Sequence, residues 1–360
     1  MSDAAPGAPG AGKPSTPRQQ TVLSPAARVL WRSEESVQLE LGTRRLLLEG
    51  LSASTVRHLI GRAARPPAGT LEPGFAQVQA RLVEAGFLWS ERGAEGDPRW
   101  APPLPRLAGE LVALSTRHGD QAAEVLSARS HYAVVIHSAG RVGAHVAAVL
   151  AAAGVGRVHV LDHTPVRLHQ TLPGGVRPAD EGVPLSSAAT AAVLRAAPNA
   201  DTTAPPLGDH PDLVVLAVDE PIDIERNEAM HSRGCAHLLV QLAPDHGVVG
   251  PLVIPGLTSC LACADLHRRD RDPAWNALAV QLSLPHRSAT ASEVAVATVM
   301  GGLAALEALR FLDGGQPSTI EATLEMHQPD WRVRRRSWPA HPDCSCMMPM
   351  TIPAEDHNLR

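Results

Sequence analysis

The chain has 360 residues, of which 44% are hydrophobic and 19% charged, with a formal net charge of −5. That length allows two domains with a buried core. The acidic balance gives no overall attraction to nucleic acid or to an anionic membrane. Because no apolar run approaches the ~20 residues that cross a bilayer and the N-terminus lacks a secretory segment, we expect a cytoplasmic protein without membrane or nucleic-acid partners.

Residues 1–22 consist of small residues and proline with almost no apolar bulk, which predicts a disordered tail. Residues 23–92 predict a small winged-helix-like α+β domain, and the Pro- and Gly-rich residues 93–106 predict a linker. The elements predicted in the small domain are a strand through Val37, Leu39 and Leu41, a strand over residues 45–49, a helix carrying Val56, Leu59 and Ile60, a helix over residues 74–85 and a strand over residues 87–89.

The order of these elements resembles the PqqD-like recognition domain of enzymes that modify ribosomally made peptides. In that family, the leader peptide adds a strand to an exposed sheet edge and lies against a helix. A plain winged-helix domain or an oligomerisation module explains the same pattern equally well, so both interpretations stay open at this point.

Residues 107–347 predict a Rossmann-like α/β domain with a doubly wound sheet, followed by a flexible tail over residues 348–360. The continuous apolar character from His131 to Ile136 predicts a buried strand, and a glycine turn and a predicted helix of small residues over 142–153 follow it. The next strand, Val158–Leu161, ends at Asp162. A strand, a glycine turn, a helix and a strand ending in Asp make one βαβ unit. Later strands are predicted over residues 213–218 and 236–242, and a long helix over residues 288–312.

The glycine turn predicts a nucleotide site. Gly140 and Gly143 occupy the second and last glycine positions of a Rossmann turn, and Ser138 replaces the first. Asp162 follows Gly140 by 22 residues, about where a carboxylate meets a ribose hydroxyl. The Arg141 side chain either supplies positive charge to a phosphate or fills the phosphate site with its bulk. We favour the second interpretation, since a nucleotide leaves little room there.

The stretch from Tyr132 to Leu172 resembles the ThiF/MoeB (ubiquitin-activating-enzyme-like) family. The glycine turn, the helix end at Ala153–Gly156 and the strand ending in Asp match that family, and Val218-Asp219-Glu220 matches its later acidic step. Members adenylate the C-terminal carboxylate of a small protein. The resemblance therefore implies a cofactor site for ATP with Asp162 on the ribose, and a catalytic role for Asp219 near Mg²⁺.

The chain departs from this family at the residues that hold the phosphates. Thr164 occupies the position of a second carboxylate, and residues 169–173 (His-Gln-Thr-Leu-Pro) replace a segment that carries an arginine. The family's phosphate-binding lysine has no counterpart, because Lys13 in the N-terminal tail is the only lysine of the chain. Because phosphoryl chemistry depends on positive charge at the triphosphate, these losses predict a weakened or lost ATP site.

Two cysteine pairs predict a zinc site. Cys260 and Cys263 have the two-residue spacer that is usual for zinc knuckles, whereas Cys344 and Cys346 have a tighter, one-residue spacer. In a reducing compartment these pairs favour a metal site over disulfides. The ThiF/MoeB family carries zinc-binding cysteine pairs in comparable places. His341 could replace one thiolate, and a redox dithiol at the first pair is the alternative. Cys235 is expected to be a small core residue.

Three functions remain open. A PqqD-like domain fused to a ThiF-like core with a weakened ATP site resembles the partner proteins of YcaO cyclodehydratases, which bind a leader peptide and present the substrate to that partner enzyme. The second function is an adenylyltransferase that activates a small ubiquitin-like carrier protein or a peptide C-terminus, with Arg195 or Arg226 binding phosphate. The third, an NAD-dependent oxidoreductase, fits only the glycine turn. The resemblance also implies a two-fold homodimer.

Overall fold

The computed structural model of the protein describes residues 21–34, 36–50, 75–90, 105–206, 208–218, 230–282 and 292–347. The chain forms two compact units, which divide between Glu124 and Val125. Several predicted features lie outside the described residues. These are the N-terminal tail through residue 20, the helix with Val56, Leu59 and Ile60, residues 93–104 of the linker, Asp219, Arg226 and the C-terminal tail.

The first unit contains the predicted small α+β domain. Its strands are β1 (Thr21–Leu23), β2 (Arg28–Ser33), β3 (Ser36–Leu41), β4 (Arg44–Glu49) and β5 (Leu88–Ser90), and its helices are α1 (Phe75–Glu84) and α2 (Ala108–His118). Strands β2, β3 and β4 form an antiparallel sheet in that order, while β1 pairs with β5. The β3 side chains alternate between buried and half-buried, so Val37, Leu39 and Leu41 line the core with Leu82 of α1, as their spacing predicts.

The second unit is a seven-stranded mixed sheet with helices on it. Its strands are β6 (Ala133–His137), β7 (Arg157–Leu161), β8 (Leu213–Val218), β9 (His237–Leu242), β10 (His246–Val253), β11 (Ala322–His327) and β12 (Val333–Ser337). The order is β12-β11-β10-β9-β8-β6-β7. The four strands from β7 to β9 are parallel, and the three at the other side are antiparallel. The predicted α/β fold class is therefore confirmed.

Short crossover helices cover the parallel strands. The helices from residue 122 onward are α3 (Ala122–Arg129), α4 (Gly143–Ala152), α5 (Leu185–Ala196), α6 (Leu261–Arg271), α7 (Trp275–Leu282) and α8 (Val294–Leu312). Helix α4 connects β6 to β7, and seven of its ten residues are buried. Its alanine and valine side chains are small, and α5 and α8 pack closely against it. This layer of small residues holds the glycine turn firmly against the sheet.

Helix α8 is, among the described residues, the one helix that is long and apolar enough to cross a membrane by length and composition. The expectation that no apolar run approaches that length was therefore wrong. Half of its most apolar window is buried, and the helix packs against α4, β9 and β10. This packing explains the apolar residues on the buried face, such as Val296 and Met300, whereas Val294, Val299 and Leu306 are exposed.

The sequence did not predict the antiparallel half of this sheet. Three arginines, at positions 334–336, belong to strand β12, in which every residue is exposed. Strand β10 contains Gly247, Gly250 and Pro251, and its pairing with β9 shifts register between Val249 and Leu252. Such residues and irregularities interrupt the alternation by which strands are recognised.

Candidate functional site

The glycine turn connects the end of β6 to the start of α4. Ser138 has a φ of 67° and Gly140 a φ of 34°, so a serine adopts the left-handed conformation at the first glycine position. Gly143 is required by close packing, because a Cβ there would lie 2.4 Å from the backbone oxygen of Ser138. The turn thus keeps the geometry of a Rossmann turn although its first glycine is replaced.

The Asp162 carboxylate is bound by the protein itself on both oxygens. Its Oδ2 accepts a hydrogen bond from the backbone N–H of Ala139 at 2.9 Å, and Ser138 Oγ lies 3.5 Å away. Its Oδ1 accepts hydrogen bonds from the backbone N–H and the hydroxyl of Thr164, at 3.0 and 2.6 Å. Asp162 therefore fastens the glycine turn to the end of β7, and a ribose hydroxyl would compete with these contacts.

Arg141 has an unsatisfied nitrogen inside the turn. Its Nε is buried and has no hydrogen-bond partner among the described residues, although the side chain as a whole is only partly buried. A buried guanidinium nitrogen without an acceptor is costly, and an anion beside it would remove that cost. This observation fits a phosphate group near the turn and favours the charge-supplying interpretation of Arg141 over the space-filling one.

The segment that replaces the family's arginine region lies against α4. His145 Nδ1 donates a hydrogen bond to the Pro173 carbonyl at 2.9 Å, and Gly174 and Gly175 approach the His145 side chain closely enough that a Cβ on either would touch it. Arg195 donates a hydrogen bond to the Gly175 carbonyl at 2.8 Å. Its guanidinium therefore holds this loop, which leaves it less available as the phosphate ligand that the adenylyltransferase hypothesis requires.

The four predicted cysteines converge at one point. The Sγ atoms of Cys260 and Cys344 are 3.6 Å apart, those of Cys263 and Cys346 are 3.4 Å apart, and all four lie within 4.8 Å of one another. Tetrahedral zinc with Zn–S bonds of about 2.3 Å has sulfurs about 3.8 Å apart. The four thiols can therefore hold one metal ion, and the prediction that the two pairs meet is confirmed.

The electrostatics of this cluster favours ionisation of one thiol and opposes ionisation of the others. A hydrogen bond from the Cys260 thiol lowers the pKa of Cys263 to about 4, and the backbone N–H of His341 contributes in the same direction. The hydrogen bond to Cys263 and burial raise the pKa of Cys260, and burial raises the pKa of Cys346 to about 12. Four thiolates at this spacing therefore need a cation among them.

His341 supports the cluster without joining it. The buried ring donates from Nε2 to Asp270 Oδ2 at 2.8 Å and accepts at Nδ1 from the backbone N–H of Asp343 at 3.1 Å. Both ring nitrogens are thus engaged away from the sulfurs. The ring connects α6, which begins directly after Cys260, to the segment that carries Cys344, so the two halves of the cluster are tied by protein contacts as well.

The structure brings the predicted site residues together in two places. Ser138, Gly140, Arg141, Gly143 and Asp162 form the glycine turn and its anchor, and the four cysteines form the sulfur cluster, whereas Asp219 lies outside the described residues. Sequence reasoning missed the roles of Thr164 and His145. Thr164 follows Asp162 by two residues, a spacing at which a carboxylate commonly accepts from the backbone ahead of it, and this local signal could have shown that the carboxylate is engaged.

The fold is shared with solved structures over nearly the whole chain. E. coli MccB with ATP superposes with a TM-score of 0.69 at 17% sequence identity, covering 91% of this chain and 99% of that one. The microcin C7 biosynthetic enzyme MccB with N-formylated MccA gives 0.68 at 16% identity, with the same coverage. PaaA gives 0.63 at 16% identity, covering 88% of this chain and 99% of that one.

Sequence comparison places the chain in a family. No curated protein matches its sequence. The ThiF family model matches residues 117–347, which is more than half of the chain and includes both the glycine turn and all four clustered cysteines. The chain belongs to the ThiF family.

Proposed function

We propose that this chain binds a precursor (leader) peptide and supports its modification in the biosynthesis of a ribosomal peptide natural product. The observation that carries this proposal is the extent of the structural likeness, which covers 91% of the chain and 99% of the MccB structures with MccA and thus includes the small N-terminal unit. In this proposal, residues 23–92 are a PqqD-like recognition domain, residues 93–106 a linker and residues 107–347 the ThiF domain, and a YcaO-type enzyme is the catalytic partner.

The state of the nucleotide site distinguishes this scaffold function from an enzyme. The Asp162 carboxylate, which is proposed to bind the ribose, already accepts hydrogen bonds from the turn and from Thr164. The ThiF domain also contains no lysine that could bind the phosphates. Both observations favour a weakened ATP site. A scaffold would then bind the peptide with its N-terminal domain, while ATP chemistry takes place in the partner.

One observation favours the second candidate function, an ATP-dependent adenylyltransferase acting on a peptide or carrier-protein C-terminus. The buried Nε of Arg141 lacks an acceptor among the described residues, and a phosphate oxygen would supply one. In this function Arg141 replaces the missing lysine, Gly140 and Gly143 let the phosphates approach, Asp162 exchanges Thr164 for a ribose hydroxyl, and Asp219 binds Mg²⁺.

Substitution of Arg141 by glycine tests both candidates with one variant. If the side chain fills the phosphate site, Arg141→Gly should increase ATP affinity measured by calorimetry. If it binds phosphate, the same change should weaken ATP binding about tenfold or more, as expected for a charge-assisted contact of about 1.5–3 kcal/mol. Arg141→Lys serves as the matched control, since it keeps the charge but loses the planar fork of donors.

Activity measurements complete the test. ATP–pyrophosphate exchange by the purified protein, with a candidate peptide present, would reject the scaffold function. Absence of nucleotide binding, together with saturable binding of the peptide, would reject the adenylyltransferase. If the full-length chain binds neither nucleotide nor peptide, the proposed function as a whole is wrong.

We also propose that the four clustered cysteines bind Zn²⁺ in a structural site. Four sulfur ligands close a tetrahedral coordination shell and leave no position for substrate or water. The ligands come from the start of α6 and from the segment after β12, 84 residues apart between Cys260 and Cys344. The metal would therefore fasten the end of the ThiF domain to its centre, and it would take no part in catalysis.

A further inference from the structure

Strand β12 forms an outer edge of the seven-stranded sheet. It pairs with β11 alone, from Val333 opposite Met326 to Ser337 opposite Ala322, and no strand in the described part of the chain pairs with its other side. All five of its residues are exposed. An open strand edge presents a row of main-chain N–H and C=O groups to which another extended segment can add.

Three guanidinium groups surround one buried indole beside this edge. The Cζ atoms of Arg336, Arg268 and Arg271 lie 4.4, 4.9 and 5.4 Å from the ring centroid of Trp338, which is only 1% exposed. The Trp338 Nε1 donates to Thr323 Oγ1 at 2.9 Å and fixes the ring. Because a ring has two faces, at least two of the three cations share a face, and positive charge is concentrated there.

Two of these three cations have no carboxylate partner in the part of the chain that the structure describes. Arg268 is paired with Asp265 at 2.8 Å. No described carboxylate lies within 4.0 Å of the guanidinium of Arg271 or Arg336. The chain as a whole carries a net charge of −5, so this pair is a local positive feature on an acidic protein. An anionic group is the complement that these two cations lack.

We propose that the β12 edge is a docking site for an extended, acidic polypeptide segment of a partner protein. The segment adds as a further strand to β12, and carboxylates on one of its faces approach Arg336 and Arg271. Alternate residues of a strand lie about 6.8 Å apart on one face, so a sequence with an acidic residue at every second position fits this edge best. Charge selects the partner, and main-chain pairing orients it.

The alternative role for these arginines is protective. Charged side chains on an edge strand discourage pairing with other chains, and stacking on Trp338 can serve packing alone. The two roles predict opposite results. A purely protective edge gives no saturable binding of an acidic or a basic segment, whereas a docking edge selects acidic segments and loses that selectivity when Arg271 and Arg336 are neutralised.

The test uses the full-length protein and a defined probe. A fluorescein-labelled peptide of alternating Glu and Thr is titrated with protein, and binding is followed by fluorescence anisotropy at low and at physiological salt. A peptide of alternating Lys and Thr is the control. We expect saturable binding of the acidic probe, weakened by salt, and none of the basic probe. Equal binding of both probes, or binding of neither, overturns the proposal.

Neutralising variants assign the binding to this edge. Arg336→Gln and Arg271→Gln should each weaken binding of the acidic probe about threefold, and the double variant about tenfold, as expected for partly exposed charge pairs. Arg332→Gln is the matched control, because that side chain is 80% exposed and lies near Asp330. Thermal unfolding of each variant shows whether Trp338 packing survives. Unchanged affinity in a folded double variant overturns the proposal.

Two further probes test the polypeptide and strand assignments. The acidic probe with alternate backbone amides N-methylated keeps its charges but cannot complete a ladder, so it should bind more weakly in at least one of the two methylation frames. Undiminished binding in both frames overturns strand addition. A single-stranded oligonucleotide of equal charge should bind less well than the peptide, and tighter binding of the oligonucleotide overturns the choice of a polypeptide partner.

Discussion

Asp162 occupies the position of the family's ribose-binding carboxylate, but its oxygens are already engaged by the protein. A carboxylate at the end of the second strand of a Rossmann unit ordinarily faces a ribose hydroxyl. In this chain both oxygens accept hydrogen bonds from Ala139 and Thr164. A nucleotide hydroxyl has to compete with these donors, and with Ser138 Oγ at 3.5 Å, for the carboxylate, which reduces its net gain from Asp162. The same residue thereby stabilises a turn in which Ser138 occupies a glycine conformation.

The most buried ion pair of the described residues leads to a prediction about the effect of a single substitution on stability. Arg129 donates to both carboxylate oxygens of Asp313 at 2.7 Å, and the two side chains are 1% and 2% exposed. Asp313→Ala leaves a guanidinium uncompensated in the interior, which should lower the free energy of unfolding by about 3–5 kcal/mol in urea titrations. Arg157→Gln, which breaks the half-exposed pair with Asp201, is the control and should have a much smaller effect. Equal losses in the two variants would refute this account.

Buried His237 predicts a pH dependence of stability. Burial lowers the pKa of His237 below its usual value of 6.5, and positive charge on His231 lowers it further. As the pH falls below about 6.5, the unfolded chain therefore takes up a proton on His237 while the folded chain does not. The contribution of this residue to stability is fully present above about pH 6.5 and is lost as the pH drops toward the folded pKa. His237→Asn, which can still donate to the Cys235 carbonyl, should flatten the unfolding free energy between about pH 7 and 5. A variant with the wild-type slope would contradict this assignment.

Two adjacent glycines in helix α8 are expected to respond in opposite ways to substitution by alanine. A Cβ on Gly301 would lie 2.7 Å from His145 and 2.9 Å from Val142, whereas a Cβ on Gly302 would meet nothing within 4 Å. Gly301→Ala should therefore destabilise the protein by roughly 1–3 kcal/mol through overpacking. Gly302→Ala should stabilise it by about 0.5–1 kcal/mol through helix propensity. Chemical denaturation measures both, and the opposite order would show that α8 packs on α4 differently.

Elements with local signals could be predicted from the sequence. Strand β8 was predicted at its observed bounds, and β6, α4 and β7 within two residues, because continuous apolar runs and the Gly140 turn mark them in the chain itself. Helix α6 escaped prediction because it has only two buried residues, Cys263 and Ala264, and the rest of its surface is largely charged. Strand β12 has no buried residue, so no alternation could reveal it.

In the candidate site too, the features with a local sequence signal were the ones that could be predicted. Cysteine spacing predicted that Cys260, Cys263, Cys344 and Cys346 converge, since two closely spaced thiol pairs are typical metal chelates. The spacing of Gly140 and Asp162 predicted the turn. Sequence could not reveal that the Arg141 Nε lacks an acceptor among the described residues or that Arg195 holds the Gly175 carbonyl, because both facts depend on side-chain directions set by tertiary packing.

At the scale of the whole molecule, the proposed zinc site joins two segments of the sheet-bearing unit that are far apart in the sequence. It joins α6 to the segment after β12, and Ser259 Oγ donates to the Trp338 carbonyl at 2.6 Å alongside it. Metal analysis should give about one zinc per chain, and Cys344→Ser with Cys346→Ser should remove it and lower the thermal unfolding midpoint, because a metal bound only by the folded chain stabilises it by several kcal/mol. Cys235→Ser, a buried cysteine outside the cluster, should keep the metal. Zinc retained by the double variant, or lost equally from Cys235→Ser, would rule out a four-thiolate site that holds the end of the ThiF domain in place.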